Sequence, residues 1–276
     1  MTPRTLENPT ILVFDSGLGG LSVFREVARA RPDARFVYAA DDAFFPYGAI
    51  PEERLIARAG DLMERLIATH RPDLVVIACN TASTIVLPSL RAKLSVPFVG
   101  TVPAIKPACA ASKTKRVSVL GTEATVKREY TKALIRAFAA DCQVTLVGSA
   151  RLASLAEAAL GGETIADEDI AAEIAPCFVN DNDARTDTVV LACTHYPLLG
   201  DRLARLSPWP VNFIDPAPAI ARRVVDLIGP ARNGHAPAPP DVIFSSGRTP
   251  PPAVRAWLDG IRRPAGVSTQ ELHPPR

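Results

Sequence analysis

Leu74-Val-Val-Ile-Ala-Cys-Asn-Thr81 and Thr188-Val-Val-Leu-Ala-Cys-Thr-His195 are the two stretches that decide the fold of this 276-residue chain. Each is a short, almost continuously apolar run, which is typical of a parallel strand buried on both faces. Any two buried strands look alike, but this match extends past the strand to a cysteine in both stretches. The pair indicates two similar α/β halves, each with a thiol at the carboxyl end of a strand.

The same alternation of apolar runs and helical patterns extends along the chain and predicts an α/β fold with mostly parallel sheets flanked by helices. Strands are predicted at Ile11–Phe14, Phe36–Ala40, Leu74–Ala78, Pro97–Gly100, Val117–Leu120, Val144–Val147, Thr188–Ala192, Val211–Ile214 and Asp241–Ser245. Helices are predicted at Leu21–Ala30, Glu53–Thr69, Val126–Ala139 and Ala219–Ile228, with a short one from Pro252 and a surface loop over Asn233–Pro240.

The composition excludes several classes of protein. The chain carries 31 basic and 29 acidic residues, for a net charge of +2, so it lacks the clustered positive charge of a nucleic-acid or membrane surface. The first apolar run, Ile11–Phe14, is too short for the core of a signal peptide. We therefore expect a cytoplasmic protein. Its five cysteines show no paired spacing, which favours reduced thiols over a disulfide framework.

A glycine-rich stretch, Phe14-Asp-Ser-Gly-Leu-Gly-Gly20, follows the first predicted strand. Ligands of open α/β sheets bind at the carboxyl ends of strands, and the N–H groups of a glycine turn could receive an anion there. A dinucleotide fingerprint would need a further glycine where Ser22 stands, so that match fails. A plain strand-to-helix turn capped by Asp15 explains the stretch equally well.

A second polar stretch follows the next predicted strand. Asp41-Asp42 ends that strand and Phe45-Pro-Tyr-Gly48 begins a loop. The Tyr47 hydroxyl or an exposed amide could hold a carboxylate, although Pro and Gly favour an ordinary turn here as well.

The cysteines differ in their surroundings. Cys79 and Cys193 end corresponding strands beside hydroxyl, amide or imidazole groups, and a lowered pKa would make either thiol a usable base. His195 follows Cys193 by two residues, so an extended backbone would point both to one side. No polar cluster accompanies the remaining thiols, which are read as small buried hydrophobes, and the remaining histidines are read as surface residues. These are Cys109, Cys142 and Cys177, and His70, His235 and His273.

In order and spacing, a set of these stretches resembles the glutamate racemases of the aspartate/glutamate racemase superfamily, over about residues 11 to 216. The set comprises Asp15-Ser-Gly-Leu-Gly-Gly20, Pro46-Tyr-Gly48, Ala78-Cys-Asn-Thr-Ala-Ser83, Val102-Pro-Ala-Ile105, Gly121-Thr-Glu-Ala-Thr-Val126, Leu155-Ala-Glu157, Ala192-Cys-Thr-His-Tyr-Pro-Leu-Leu199 and Phe213-Ile-Asp-Pro216. Phe44-Phe45 replaces the smaller or polar residues expected before Pro46, which bears on the entrance to the pocket.

The resemblance implies two pseudo-symmetric α/β domains with the active site in the cleft between them. We expect residues 1–98, completed by 214–276, to form the first domain and residues 99–213 the second. It further implies a cytoplasmic, cofactor-independent enzyme that interconverts L- and D-glutamate and supplies D-glutamate for peptidoglycan. Glutamate is the expected partner, with no nucleic acid and no membrane, and a homodimer is compatible with the resemblance.

Residue roles also follow from the resemblance. Cys79 matches the thiol that takes the α-proton of D-glutamate, and Cys193 matches the thiol that takes that of L-glutamate. Asp15 and His195 match residues that assist the two thiols. Further acidic residues of the family match Asp41 and Glu157. The matches to substrate-binding residues are Asp15, Ser16, Tyr47, Gly48, Asn80, Thr81, Thr194 and His195.

Two opposed bases suit this reaction, because a single base would have to move around the substrate. One thiol must start as thiolate and the other as thiol, so the pair titrates as a unit. Hydroxyl and amide groups must stabilise the very weakly acidic substrate carbon in a site that excludes water. The alternative is pyridoxal phosphate on a lysine, but no lysine here ends a strand or lies in a glycine-rich phosphate site.

Other functions explain part of the pattern. A thiol hydrolase would use Cys193 and His195 and leave Cys79 without a role. A zinc site would use Cys79, Cys193, His195 and Asp15, but no close ligand pair anchors it. A two-lobed binding module would need the glycines and polar loops but no paired thiols. An aspartate racemase remains open within the superfamily, although the Cys193-Thr-His-Tyr-Pro197 run favours glutamate.

Overall fold

The first sheet gathers the amino-terminal strands of the chain and one late strand. The computed structural model describes residues 5–181, 184–231 and 238–261. Within them a five-stranded, all-parallel sheet has the order β11-β2-β1-β3-β4. Its strands are β1 (Thr10–Asp15), β2 (Arg35–Ala40), β3 (Leu74–Ile77), β4 (Phe98–Gly100) and β11 (Asp241–Phe244).

The described residues also form a second parallel sheet of four strands, in the order β10-β9-β5-β6. The sequence pattern did not predict the short antiparallel hairpin of β7 and β8 that precedes β9, because two-residue strands carry no periodicity. The strands are β5 (Arg116–Thr122), β6 (Gln143–Ser149), β7 (Asn180–Asp181), β8 (Ala184–Arg185), β9 (Thr188–Ala192) and β10 (Asn212–Ile214).

Helices cover the sheets, which confirms the predicted α/β class. They are α1 (Leu21–Ala30), α2 (Glu52–His70), α3 (Asn80–Ile85), α4 (Leu87–Lys93), α5 (Ile105–Ala111), α6 (Glu123–Lys127), α7 (Glu129–Phe138), α8 (Leu152–Leu160), α9 (Asp167–Ile174), α10 (Gly200–Leu206), α11 (Ala217–Ile228) and α12 (Pro252–Ile261).

The predicted helix Val126–Ala139 is wrong, because the structure divides it into α6 and α7. Arg128 between them has extended backbone, with φ −68° and ψ 139°. Thr122 caps α6 by accepting a hydrogen bond from the amide of Thr125. The Thr131 hydroxyl then donates to the Thr125 carbonyl at 2.7 Å and holds the bend. These side-chain bonds compete with the helical ones, and apolar spacing does not reveal them.

Both faces of the first sheet are buried, which explains its nearly continuous apolar strands. One face packs on α1 and α11 through residues such as Val27 and Val224. The opposite face packs on α2 through residues such as Leu55 and Met63. The second sheet is likewise covered by two clusters. Among the described helices, none combines the length and the apolar character that a bilayer span requires.

The chain passes from one sheet to the other after β4 and returns after β10. The first sheet takes strands between residues 10 and 100 and again between 241 and 244, and the second takes strands between 116 and 214. The domain limits given above stay a prediction. Most of the Asn233–Pro240 loop, with His235, lies outside the described residues, and so does His273.

Candidate active site

The carboxyl ends of β1, β3 and β9 meet around one small cavity between the two sheets. The space open to water-molecule centres is about 20 Å³, enough for roughly one water molecule. The sequence-predicted residues Asp15, Asp41 and Glu157 lie behind its wall. The wall itself is formed by Ser16, Phe45, Pro46, Tyr47, Gly48, Cys79, Asn80, Thr81, Thr122, Ala153, Cys193, Thr194 and His195.

Cys79 is buried at the amino end of α3. Its Sγ accepts a hydrogen bond from the Ala82 amide at 3.4 Å and lies 3.7 Å from Ser16 Oγ. Burial, followed by the nearby carboxylate of Asp15, raises the pKa of the Cys79 thiol, and the Ala82 and Ser16 contacts only partly oppose this. The helix terminus therefore does not lower this pKa below its ordinary value, and Cys79 is a thiol at neutral pH.

Cys193 faces the cavity from the second sheet and has His195 beside it. Cys193 Sγ lies 3.8 Å from His195 Nδ1. The backbone at His195 is helical, with φ −72° and ψ −31°, so a turn rather than an extended strand brings the two side chains together.

The imidazole of His195 also contacts Glu157 of α8, with Nε2 2.7 Å from Oε2. Burial opposes a charged imidazole, but the contacts with Cys193 and Glu157 prevail and raise the pKa of His195 well above its usual range. The ring is therefore protonated and donates to Glu157. The Gly19 amide, 3.2 Å from the same nitrogen, is then a close contact.

Two backbone amides of the glycine loop donate hydrogen bonds to carboxylate side chains of the protein itself. The Leu18 amide donates to Glu157 Oε2 at 2.9 Å, and the Gly20 amide donates to Asp15 Oδ2 at 2.7 Å. The glycine-rich composition suggested that the loop amides could receive an external anion. These two amides are instead already hydrogen-bonded within the protein. The loop holds two carboxylates that lie behind the thiols.

Two buried side chains near the thiols carry polar atoms that have no hydrogen-bond partner among the described residues, namely Oδ1 of Asp15 and both amide atoms of Asn80. Burial raises the pKa of Asp15, although the charge of His195 and the loop amides oppose the shift. An unpartnered buried polar group is costly and is typical of sites that bind a ligand or do chemistry. The cavity therefore offers polar atoms to a polar ligand.

Asp41 supports the wall from behind. Its carboxylate accepts from the Tyr47 hydroxyl at 2.7 Å and from Arg58 at 2.6 Å. Burial alone would raise the pKa of Asp41, but the hydrogen bonds from Arg58, Ser245 and Tyr47 lower it. The Tyr47 hydroxyl is thus bound to a carboxylate of the protein itself, whereas sequence reasoning allowed it to hold a ligand carboxylate.

The cavity is closed on two sides by contacts between the sheets. Thr81 Oγ1 lies 3.4 Å from Thr122 Oγ1. The ring of Phe45 lies 5.2 Å from that of His195. Sequence reasoning had not identified Thr122 as a site residue, although it ends β5 as Cys193 follows β9. Pro46 and Ala153 were also missed, and no local signal marks Ala153.

The other thiols lie away from this wall. Cys109 and Cys177 are buried and Cys142 is partly buried, and no cysteine of the chain is in a disulfide. Among the described residues no group of three or more His, Cys, Asp or Glu side chains is arranged to hold a metal ion. The geometry that distinguishes this site is a pair of thiols from two parallel sheets.

Two parallel sheets flanked by helices each place one thiol in the wall of a single cavity, an arrangement suited to an enzyme with two α/β lobes. Comparison with known proteins identifies the family. The family described as Asp/Glu/Hydantoin racemase matches residues 13–224. The chain therefore belongs to the Asp/Glu/Hydantoin racemase family, and it is an amino-acid racemase.

Its relatives include glutamate racemases whose similarity extends over almost the whole chain. That of Brucella anthropi is 52% identical over 95% of this chain and 94% of its own length. That of Brucella canis is 53% identical over 94% of both chains. The crystal structure of Escherichia coli glutamate racemase with L-glutamate and the activator UDP-MurNAc-Ala has a TM-score of 0.81 at 38% identity, covering 94% of each chain.

Proposed function

We propose that this protein interconverts L- and D-glutamate without a cofactor, by proton transfer between Cys79 and Cys193. The observation that carries the proposal is that these two thiols face one cavity from the ends of β3 and β9, which belong to different sheets. The match to glutamate racemases over almost the full chain supports glutamate as the substrate. The same resemblance supports a cytoplasmic role in supplying D-glutamate for peptidoglycan.

The surroundings of the two thiols differ, and the state of Cys79 suits the direction that starts from L-glutamate. Cys79 is a thiol because burial and Asp15 raise its pKa. His195 Nδ1 lies 3.8 Å from Cys193 Sγ, so the imidazole is placed to orient that sulfur towards the cavity. Cys193 as thiolate and Cys79 as thiol are the states that deprotonation of L-glutamate requires.

In this direction the Cα–H bond of L-glutamate breaks and its proton forms an S–H bond on Cys193. The Cys79 S–H bond breaks and its proton forms the new Cα–H bond on the other face. The product is D-glutamate, and the enzyme is left with Cys79 as thiolate and Cys193 as thiol. That form accepts D-glutamate, and proton exchange with solvent restores the starting form.

Polar groups on the wall are suited to binding the two carboxylates and the amino group of the substrate. Ser16, Asn80, Thr81 and Thr194 offer hydroxyls and an amide, and in the part of the chain that the structure describes neither amide atom of Asn80 has a partner. The cavity is smaller than glutamate, so substrate entry requires the two sheets or the loops between them to separate. Closure afterwards excludes water, which strengthens each electrostatic contact with the carbanion.

The test is exchange of the α-proton in D₂O, with metal-free protein, no added pyridoxal phosphate and either enantiomer of glutamate. Circular dichroism follows the stereochemistry for wild type, Cys79→Ser and Cys193→Ser, with Cys177→Ser as a matched buried control. We expect wild type and Cys177→Ser to racemise glutamate with deuterium incorporation, and each of the other variants to lose turnover. A wild type inert towards glutamate, or dependence on only one of the two cysteines, contradicts the proposal.

A further inference from the structure

Arg248 lies at the end of a chain of charged and polar contacts that reaches Cys193. Its Nη2 lies 3.7 Å from Glu157 Oε1, while Glu157 Oε2 lies 2.7 Å from His195 Nε2. Arg248 follows β11 of the first sheet, and Glu157 and His195 belong to the part of the chain that forms the second sheet. The contact therefore crosses the cleft. Nothing in the sequence pattern or the family resemblance identified this arginine.

Asp42 fixes the turn that presents Arg248. The Asp42 carboxylate accepts from the Ser246 amide at 3.0 Å and from the Ser246 hydroxyl at 2.6 Å. Arg248 Nε lies 2.7 Å from the same carboxylate. Gly247 allows the reversal with φ +76°, a conformation that other residues rarely adopt.

The guanidinium is also placed over an aromatic face. Its central carbon lies 4.7 Å from the centroid of the Phe244 ring. A planar guanidinium that is held by a carboxylate on one edge and by a ring below has few rotamers left. The side chain is 44% exposed, yet its direction towards Glu157 is set by two independent contacts.

The two oxygens of Glu157 have different tasks. Oε2 accepts from the Leu18 amide at 2.9 Å and faces His195. Oε1 faces Arg248, and the side chain is 16% exposed. The guanidinium near Oε1 limits the orientations that the carboxylate can take, and the carboxylate in turn orients the imidazole. Asp15 and Cys193 also act electrostatically on the His195 imidazole, and Asp15 interacts with Glu157 as well.

We propose that Arg248 is a positioning residue for the racemisation, acting through Glu157 and His195 on the step in which Cys193 exchanges the α-proton. The proposal rests on the proposed two-thiol function. Its particular claim is an asymmetry, since the contacts of Arg248 lead through Glu157 to His195 beside Cys193, whereas the described contacts of Cys79 are with Ser16 and Ala82.

Isotope effects separate the two steps. Because enantiomers have equal free energies, kcat/KM must be the same for both, so its ratio cannot reveal which step has slowed. The kinetic isotope effect of α-deuteration can reveal which of the two steps has slowed. If the Cys193 step becomes more rate-limiting, the isotope effect on kcat/KM grows with L-[α-²H]glutamate, whose proton Cys193 removes. The effect shrinks with D-[α-²H]glutamate, whose proton Cys79 removes.

The experiment compares wild type, Arg248→Gln and Arg248→Lys, with Arg255→Gln on the exposed face of α12 as a control. We expect Arg248→Gln to lower kcat/KM about threefold, the scale of one partly exposed ion pair, and to shift the two isotope effects in opposite directions. Arg248→Lys keeps the charge and recovers most of the loss. Arg255→Gln matches wild type, and thermal unfolding followed by circular dichroism shows that all variants fold.

Unchanged kinetics in Arg248→Gln would overturn the proposal. A loss of kcat/KM with both isotope effects unchanged would also overturn it, because a structural defect slows both steps alike. The same holds if Arg248→Lys is as impaired as Arg248→Gln. An inactive wild type would instead contradict the proposed function itself, so the two failures are distinguishable.

Discussion

The α-carbon of Gly19 lies so close to His195 that a Cβ atom on it would come within 2.3 Å of the imidazole Nδ1. The loop cannot retreat easily, because the Leu18 and Gly20 amides are bound to Glu157 and Asp15. Gly19→Ala therefore displaces the ring that lies beside Cys193. We expect kcat to fall about 10²-fold, as for a displacement of roughly 1 Å at a reacting group. Steady-state racemisation followed by circular dichroism measures it.

Gly60→Ala is the matched control for this substitution. Gly60 lies inside α2, and a Cβ there would have no neighbour within 4 Å. Alanine should stabilise the helix by about 0.5–1 kcal/mol and leave kcat unchanged. Wild-type kcat in Gly19→Ala would show that the ring and the loop adapt, contrary to our interpretation.

The parts of the fold that sequence reasoning predicted are those with a strong local pattern. β1, β2, β3 and β9 are buried on both faces, so nearly every residue in them is apolar. The helix over residues 126–139 was wrong because Thr122 and Thr131 redirect the backbone through side-chain hydrogen bonds. Periodicity reports which face of a helix is buried but not where a cap interrupts it.

The site was only partly predictable for a different reason. Strand-end cysteines and glycines identify where a cavity forms, since carboxyl ends of parallel strands meet at one edge. The partners of His195 come from distant positions, with Glu157 separated by 38 residues and Gly19 by 176. No local pattern specifies such pairs. The same distance in sequence explains why the position of Arg248 opposite Glu157 could not be predicted.

Tyr47→Phe tests the support that Asp41 gives to the cavity wall. The substitution removes the hydroxyl that donates to Asp41 at 2.7 Å and leaves the carboxylate with Arg58. We expect a loss of about 1–2 kcal/mol in the free energy of unfolding, because a buried charged acceptor loses one donor. KM should rise more than kcat falls, since the wall shifts but both thiols remain. Urea unfolding and racemisation kinetics measure the two effects, and a change in kcat alone would contradict this role.

Phe45→Ala tests whether Phe45 closes the pocket entrance. The Phe45 ring lies against His195 in the cavity wall, whereas the Phe44 ring stacks under Arg58, with 4.4 Å from the guanidinium carbon to the ring centroid. Opening the wall at Phe45 admits water to the imidazole and should lower kcat. Phe44→Ala should cost about 0.5–2 kcal/mol of stability through the lost cation–π contact, with kcat maintained. Equal kcat values for the two variants would show that Phe45 has no closing role.

The pH dependence of the Asp15→Asn variant should separate the effect of Asp15 on stability from its effect on activity. Burial is the main cause that raises the pKa of Asp15 above its ordinary value of 3.8. Between the unfolded and folded pKa values the folded protein binds more protons than the unfolded chain. Its stability therefore falls as pH rises through that window. An asparagine carries no charge and escapes this loss, while it still accepts a hydrogen bond from the Gly20 amide.

The advantage of Asp15→Asn in the free energy of unfolding should therefore grow as pH rises from about 4.5 to about 7.5, a range that starts above the ordinary pKa of an aspartate. Urea unfolding across this series measures it, with Asp61→Asn on α2 as a control at an exposed carboxylate. Racemisation by Asp15→Asn should fall about 10²-fold at the pH values where Asp15 is ionised in wild type, because the negative charge that favours the protonated form of Cys79 is then missing. A stability difference independent of pH would mean that Asp15 is already ionised without cost in the folded protein.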